Sequence, residues 1–450
     1  MPFRKEVEPA PLVVVQGFLG GAGLAWDRHI KTFGDQTFVD RKIIIPSLGA
    51  VSSLHDRACE LYFSLVGGTV DYGAEHSALH NHGRYGRTFS HGLYPMWSKE
   101  NPLHFLGHSV VSLLPSFRYY PYAETYQGGP TLVKLQHLLA NGQFGEEAHP
   151  DMVLSLNAGK RVFVKRIYAK LICSPFRGTQ LVYTLGESIT SAPNVRPFSV
   201  GAFLAKIVHI MAYFSPFLPA IIDVHADARA LSCREASFLS FLKQLWKSDW
   251  AESKDATPYD MTFKAMEERE SLFEGRAYPN SFYRSLVSTL TCRSRPHSRV
   301  DRRASLLSFL RGLSLEVCLL RITSRSIRSF NYDILRPIPS FLSLKSSTTE
   351  ARHASEYKDS DGVVPSFSQW HPLPVTKCRH SAAVHRCFFE ESPTNSNDVY
   401  PIPGTWIVTT VDGTHHLSLV PGLTKSEDSY QRAFWTDLGH WLKAVDASRA

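Results

Sequence analysis

Leu103-His104-Phe105-Leu106-Gly107-His108-Ser109 is the stretch on which the reading of this chain turns. A short apolar run closed by Gly-His-Ser has the form of a buried strand that breaks into a tight turn. Such a strand-to-helix turn presents a serine hydroxyl and points the next backbone N–H at an oxyanion developing beside it. The turn calls for small residues two positions either side of the serine, where strand and helix crowd. Gly107 meets the first demand and Val111 fails the second. Gly128-Gly129-Pro130-Thr131 follows later and opens a good helical stretch, Leu132 to Ala140, so deleting Val111 through Gln127 would leave Gly-His-Ser-Val-Gly-Gly-Pro-Thr. Residues 111–127 are therefore read as an insertion into a G-x-S-x-G turn, either an in-frame retained intron or a true loop. A second insertion of the same kind is read at 159–173.

Working outward, Val13-Val14-Val15 before a glycine-rich turn, Lys42 to Pro46, Val153 to Leu156 and Thr405 to Val408 are further strand candidates. Helical spacing runs from His55 to Val66 and from Thr131 to Ala140. Strands alternating with helices give an α/β fold with a mostly parallel central sheet and functional residues at strand ends. The region 186–357 lacks that alternation and reads as a large helical cap inserted into a single domain.

Composition agrees with a globular protein. The 450 residues are 43% hydrophobic with a formal charge of +8, and seven scattered cysteines make a poor disulfide framework. Two short runs, Lys160 to Lys170 and Arg293 to Arg303, carry the basic excess without a nucleic-acid-binding module around them, so no nucleic-acid partner is expected. The apolar stretch Val200 to Val224 is interrupted by Lys206, His209, Pro216, Pro219 and Asp223, the pattern of helices that meet grease rather than span a membrane. Met1 is followed by no apolar h-region, so the chain as written shows no secretion signal.

The partners of a nucleophilic serine in this fold follow in the order acid, then histidine. Asp361, in Ser360-Asp361-Gly362-Val363-Val364, and His416, in Thr414-His415-His416-Leu417, occupy those places. The imidazole would take the serine proton while the carboxylate orients the ring. A separate concentration of imidazoles, Asp71 to His76 and then His80-Asn81-His82, has the residue types of a zinc site or of an exposed polar loop. Cys378-Arg379-His380 with His385-Arg386-Cys387 lacks the spacing of a common zinc module and reads as free thiols in a loop.

Taken with Gly17-Phe18, the run Ser53-Leu54-His55-Asp56-Arg57-Ala58-Cys59-Glu60 and the block Leu65-Val66-Gly67-Gly68-Thr69-Val70-Asp71-Tyr72-Gly73, continuing through His76, His82 and Arg84 to Thr88, make the chain resemble the thermoalkaliphilic bacterial lipase family. These are zinc-containing α/β-hydrolases acting on triacylglycerols, and this chain looks like a fungal relative. The resemblance implies the α/β-hydrolase fold and zinc ligands at Asp56, His76, His82 and Asp260, the ion being structural and tying cap to core. It implies oxyanion donors at the backbone N–H groups of Phe18 and Val110, and a lid over the apolar helices from Val200 to Ile222. The substrate it implies is a lipid ester at an oil–water interface.

The departures from that pattern are specific. Ser418 and the Val-Pro-Gly after it replace the acidic calcium-binding positions, so no calcium site is expected, and Gln16 replaces the usual histidine before Gly17. The family is typically secreted, which leaves a cytoplasmic location or a truncated N-terminus for the chain as written. The alternative to a lipase is a zinc-stabilised lipid-binding protein whose catalysis is impaired because the serine turn is interrupted after Ser109.

Overall fold

A computed structural model of the protein describes residues 8–15, 30, 32, 34, 38, 40–107, 128–158, 174–219, 223–289, 323–336, 339, 359–374, 377–381, 384–385, 400–412 and 425–449, with the backbone alone at 384–385 and 425–431. The described strands are β1 (Leu12–Val15), β2 (Ile43–Ile44), β3 (Gly68–Asp71), β4 (Tyr85–Phe89), β5 (Leu103–Gly107), β6 (Val153–Ala158), β7 (Phe282–Thr289), β8 (Cys378–His380), β9 (Val384–His385) and β10 (Trp406–Asp412). All but β3 and β4 join one sheet in the order β2-β1-β5-β6-β7-β10-β8, with β9 also on β10, and every pairing in it is parallel. β3 and β4 form a separate antiparallel ribbon. The described helices include α1 (Leu54–Val66), α2 (Ala74–His80), α3 (Gly128–Ala140), α4 (Leu181–Leu185), α5 (Val200–Tyr213), α6 (Phe238–Trp246), α7 (Thr257–Asp260), α8 (Phe263–Ser271) and α9 (Lys425–Ala447). This is the α/β-hydrolase architecture that the sequence leads one to expect.

Burial on both faces explains why the central strands are apolar throughout. Val13 and Val15 pack with Leu61 and Leu65 of α1 and Leu132 and Leu135 of α3, while Leu12 and Val14 face Phe434, Trp435 and Leu438 of α9 on the other side. Successive strand residues point to opposite faces, so a four-residue Leu-Val-Val-Val supplies both layers.

One strand lies where the sequence reading placed the cap. Phe282–Thr289 falls inside 186–357, yet β7 sits between β6 and β10 in the middle of the sheet. Its sequence, FYRSLVST, breaks the apolar run expected of a central strand. The polar side chains are buried because partners wait for them: Arg284 pairs with Asp437 of α9 at 2.7 Å, and Thr289 donates to Asp412 at 2.6 Å. The suspected insertions, 111–127 and 159–173, lie outside the described residues. On either side of the first, β5 ends at Gly107 and α3 begins at Gly128.

Beneath the α9 face a buried polar chain fastens the last helix to the sheet. Asp446 receives Arg41 at 2.6 Å and His104 Nε2 at 3.0 Å, and His104 Nδ1 lies 2.8 Å from Ser155 Oγ. Burial works against the charge on Asp446, but the hydrogen bond and charge of His104, followed by Arg41, hold its carboxyl below the ordinary value. A depressed carboxyl contributes stability that is present above its unfolded pKa of about 3.9 and is lost as pH falls through the folded value. Asp446→Asn should cost about 3–5 kcal/mol in urea unfolding at neutral pH. The gap between variant and wild type should narrow as the pH drops below about 4. A gap that stays constant over that range would show that the carboxylate charge is not what the network uses.

Candidate active site and metal centre

Asp56 enters its site from the first turn of α1, where Ser53 caps the helix by accepting the Asp56 N–H at 3.2 Å. A carboxylate there is favoured by the partial positive charge of the helix start. His76 rises from α2, and Asn81 ends that helix in a left-handed conformation (φ 55°), which turns His82 back under it. Opposite them, an extended cap segment runs antiparallel to the loop before α1 through a Ser52–Ala256 bridge, and Thr257 donates to the Ser52 carbonyl at 3.0 Å. That docking carries in Asp255.

Asp56, His76, His82 and Asp255 offer ligand atoms that all lie within 4.8 Å of one another. His76 Nε2 stands 3.2 Å from Oδ1 of both aspartates, and His82 Nε2 lies 3.3 Å from Asp255 Oδ2 and 3.9 Å from Asp56 Oδ1. Ligands about 2.0–2.2 Å from a tetrahedral zinc lie roughly 3.3–3.6 Å apart, so these spacings suit such an ion with little rearrangement. His82 donates Nδ1–H to the Gly83 carbonyl at 2.8 Å, which leaves the lone pair of Nε2 facing the cluster. Backbone fixing of the distal nitrogen is the usual support for a metal-bound imidazole. Both His82 Nε2 and Asp255 Oδ1 are buried without a hydrogen bond, a costly state that an ion between them would relieve.

The surroundings keep the site charged and closed. Arg229, stacked over Trp250 at 4.8 Å, bonds to Asp56 Oδ2 at 2.9 Å and also to Asp255. Burial opposes ionisation of Asp255, but the His76 and His82 imidazoles beside it and the charge of Arg229 force its carboxyl far below the usual range. His76 is likewise opposed by burial, yet the two aspartates raise it to about 9. His55 stacks on His76 with ring centres 3.6 Å apart, and burial and the neighbouring His76 push it down to about 3.

Asp260, expected as the fourth ligand, is elsewhere. It lies at the far end of α7, accepting the Leu54 N–H at 2.7 Å and Arg269 at 3.0 Å, with burial raising its carboxyl to about 6. In its place the geometry brings in Asp255, five residues earlier in the chain, and the physical reason is the docking of the extended segment before α7. Asp71, also within the histidine-rich stretch, turns away to a bidentate pair with Arg84 at 2.9 and 2.7 Å. Arg229 and Asp255 were not singled out by sequence. The signal for Asp255 is its place before Thr257-Pro258, which starts α7 and leaves the aspartate in the extended chain.

Of the residues expected to carry catalysis, Asp361 is described. Its Oδ1 accepts the N–H groups of Val363 and Val364 at 2.9 and 2.8 Å, in a buried turn where Gly362 takes φ 101°. This turn precedes a short 3-10 helix, Ser366–Gln369, that packs against β7, Gln369 accepting the Ser288 N–H at 2.9 Å near the strand's C-terminal end. Ser109, His416, Phe18 and Val110 lie outside the described residues, as do Ser418 and the Val-Pro-Gly behind the expectation of no calcium. Around the serine, however, the frame is visible. A Cβ on Gly107 would come within 2.5 Å of the Gly129 nitrogen and 2.6 Å of its Cα, so the end of β5 and the start of α3 touch backbone to backbone.

The stretch read as a lid forms α5 and a 3-10 turn, Ser215–Phe217, with residues 220–222 outside the described set. Of α5 only His209 and Ala212 are buried, while Phe203, Phe217 and, on the neighbouring α6, Leu239 and Trp246 are exposed. Among the described residues no helix is long and apolar enough to cross a membrane.

Residues 9–114 match the family described as "Lipase-like, C-terminal domain". The chain is 28% identical to the lipase of Staphylococcus hyicus over 301 residues, 62% of this chain and 40% of that protein. It is 27% identical to Lipase 2 of Staphylococcus aureus over 275 residues, 57% of this chain and 35% of that protein. Those matches thus span two fifths or less of these relatives' length. The crystal structure of Staphylococcus hyicus lipase superposes with a TM-score of 0.59 at 20% identity, covering 98% of this chain and 96% of that one. The structural likeness shows the fold, and the sequence similarities support a lipase family for this chain.

Proposed function

We propose that this chain is a lipase that hydrolyses long-chain acylglycerol esters through a serine acyl-enzyme, with a structural zinc joining cap to core. The observation that carries the reading is the backbone contact between Gly107 and Gly128–Gly129, the close approach that a G-x-S-x-G turn requires of the strand and helix on either side of its serine. The relatives' names and the amide-fixed Asp361 support it.

In this mechanism Ser109 Oγ attacks the ester carbonyl carbon as His416 takes its proton, and the carbonyl electrons move onto oxygen, facing the N–H groups of Phe18 and Val110. Collapse expels the alcohol, which leaves with the proton held by His416. Water then repeats the sequence on the acyl-enzyme and releases the fatty acid. Asp361 steadies the imidazolium through its second oxygen while two amides hold the first. Zinc would be held by Asp56, His76, His82 and Asp255, a closed protein set suited to a structural role. The apolar surface of α5 and α6 would meet the lipid phase.

A second reading, a lipid-binding protein with impaired catalysis, is favoured by one fact. In the sequence, Val111–Gln127 stand between Val110 and Gly128, the first described residue of α3, where an uninterrupted G-x-S-x-G turn would run straight into the helix.

Hydrolysis of a long-chain triacylglycerol separates the two. A version lacking Val111–Gln127 should be active, and its Ser109→Ala form should turn over at least about 1,000-fold more slowly. Shortened and Ser109→Ala forms of equal rate, with lipid binding retained, would establish the second reading. Zinc measured by mass spectrometry of the purified protein should fall with His76→Ala, His82→Ala or Asp255→Asn and persist in Asp260→Asn; loss only in Asp260→Asn would restore the sequence-based ligand set. Gly107→Ala should lower stability by about 1–3 kcal/mol through the clash with α3, read as a shift in the denaturant midpoint. An unshifted midpoint would mean that strand end and helix start are further apart than the turn requires.

A further inference from the structure

At the sheet edge away from β2, three side chains converge that neither the proposed catalysis nor the cap-joining metal uses. Cys378 and His380 lie on β8 rather than in a loop, and their i, i+2 spacing puts both on one face of the strand. His371, just beyond the 3-10 helix Ser366–Gln369, joins them, and one ligand atom from each of the three lies within 4.8 Å of the others. β8 pairs only with β10 among the described strands, so the group stands at an edge an ion can reach.

The group is held as a site would be. His371 is buried and donates Nδ1–H to the Pro372 carbonyl at 2.8 Å, so Nε2 is the nitrogen an ion would take, in exchange for the Arg177 Nη2 that stands 3.3 Å from it. Trp370 meets the His380 ring edge-on at 5.1 Å. Cys378 and His380 are exposed, and exposed side chains change rotamer on a picosecond-to-nanosecond scale, so closing on an ion meets little resistance.

Two imidazoles and a thiolate form a soft donor set of the kind that selects copper or zinc. Arg177 decides between them. Its guanidinium bonds to the His371 carbonyl at 2.9 Å and lies 3.1 and 3.3 Å from the two ring nitrogens of His371. A dication with one thiolate would keep a net positive charge against that guanidinium, whereas a monovalent ion with one thiolate is neutral. Trigonal His-His-Cys coordination also suits copper.

We propose that His371, Cys378 and His380 bind one copper(I) ion in a three-coordinate site at the edge of the sheet. On binding, the S–H bond gives way to an S–Cu bond, the proton passes to solvent, and copper stays in its +1 state. His371 follows Asp361 by ten residues in one continuous described segment, so the ion would clip the segment carrying that acid to β8.

The test is anaerobic titration of the full chain with copper(I) delivered as its coloured bathocuproine disulfonate complex, loss of colour reporting uptake. Wild type should take up one equivalent more than Cys378→Ser and one more than His380→Ala, which keeps every thiol, while Cys233→Ser matches wild type. Apparent affinity of that equivalent should rise about tenfold per pH unit between pH 6 and 8, as release of a single proton requires. Equal uptake by wild type and both variants would overturn the site. Tighter retention of zinc(II) than of copper(I) by these residues would overturn the assignment of the ion. Both altered side chains are exposed, and a circular-dichroism melt of each apo variant matching wild type confirms that lost uptake is not lost folding.

Discussion

Two glycines let strand and helix backbones touch, and the proposed chemistry depends on that contact. Where β5 ends, the Gly107 Cα faces the Gly129 nitrogen across a gap that a single Cβ would fill to 2.5 Å. Gly129 is hemmed in from the other side by Ser174, whose hydroxyl accepts its N–H at 3.2 Å. Close approach of this kind is what projects a side chain out of the sheet at a parallel strand's C-terminal end. Here it persists although β5 and α3 are separated by twenty residues, 108–127, in the chain. A connection of that length thus leaves the elements it joins in contact, and the entropic cost of closing a longer loop grows only slowly with length.

Buried charge joins residues 223–260 to the segments around α1. Asp255 arrives on an extended segment bridged to Ser52, and Arg229 reaches both aspartates of the histidine cluster. Close by, the buried Glu60 accepts from Gly49 N at 2.6 Å and from His225 Nδ1 at 2.8 Å, while Arg87 of β4 pairs with Asp223 and Asp227 at 2.8 and 2.6 Å. Burial raises the cost of charge on Glu60, but His225 and then Arg87 hold its carboxyl below the ordinary value. An ion shared by Asp56, His76, His82 and Asp255 would therefore close a network whose remaining members are already paired.

Much of this architecture was legible in the sequence because parallel strands buried on both faces have to be apolar. Leu12–Val15, Leu103–Gly107 and Val153–Ala158 announce themselves for that reason, and α1 by its helical spacing. β7 was not legible, since Arg284 and Thr289 are polar residues whose burial rests on partners far along the chain, Asp437 and Asp412. The choice between Asp255 and Asp260 was beyond the sequence for a similar reason. Both stand within Asp255-Ala256-Thr257-Pro258-Tyr259-Asp260, and only the docking of the first half against Ser52 decides which carboxylate faces the histidines. The pairing of His371 with Cys378 and His380 was hidden too, because nothing in the spacing reveals that β8 is a strand lying beside that loop.

The central claim is that the hydroxyl at position 109 is the nucleophile. Its most direct test is reaction of the protein with a long-chain alkyl fluorophosphonate, followed by peptide mass spectrometry. The account predicts a single phosphonyl adduct on Ser109 that disappears when His416 is replaced by Ala. Labelling at another serine, or none at Ser109 even when Val111–Gln127 is removed, would contradict it.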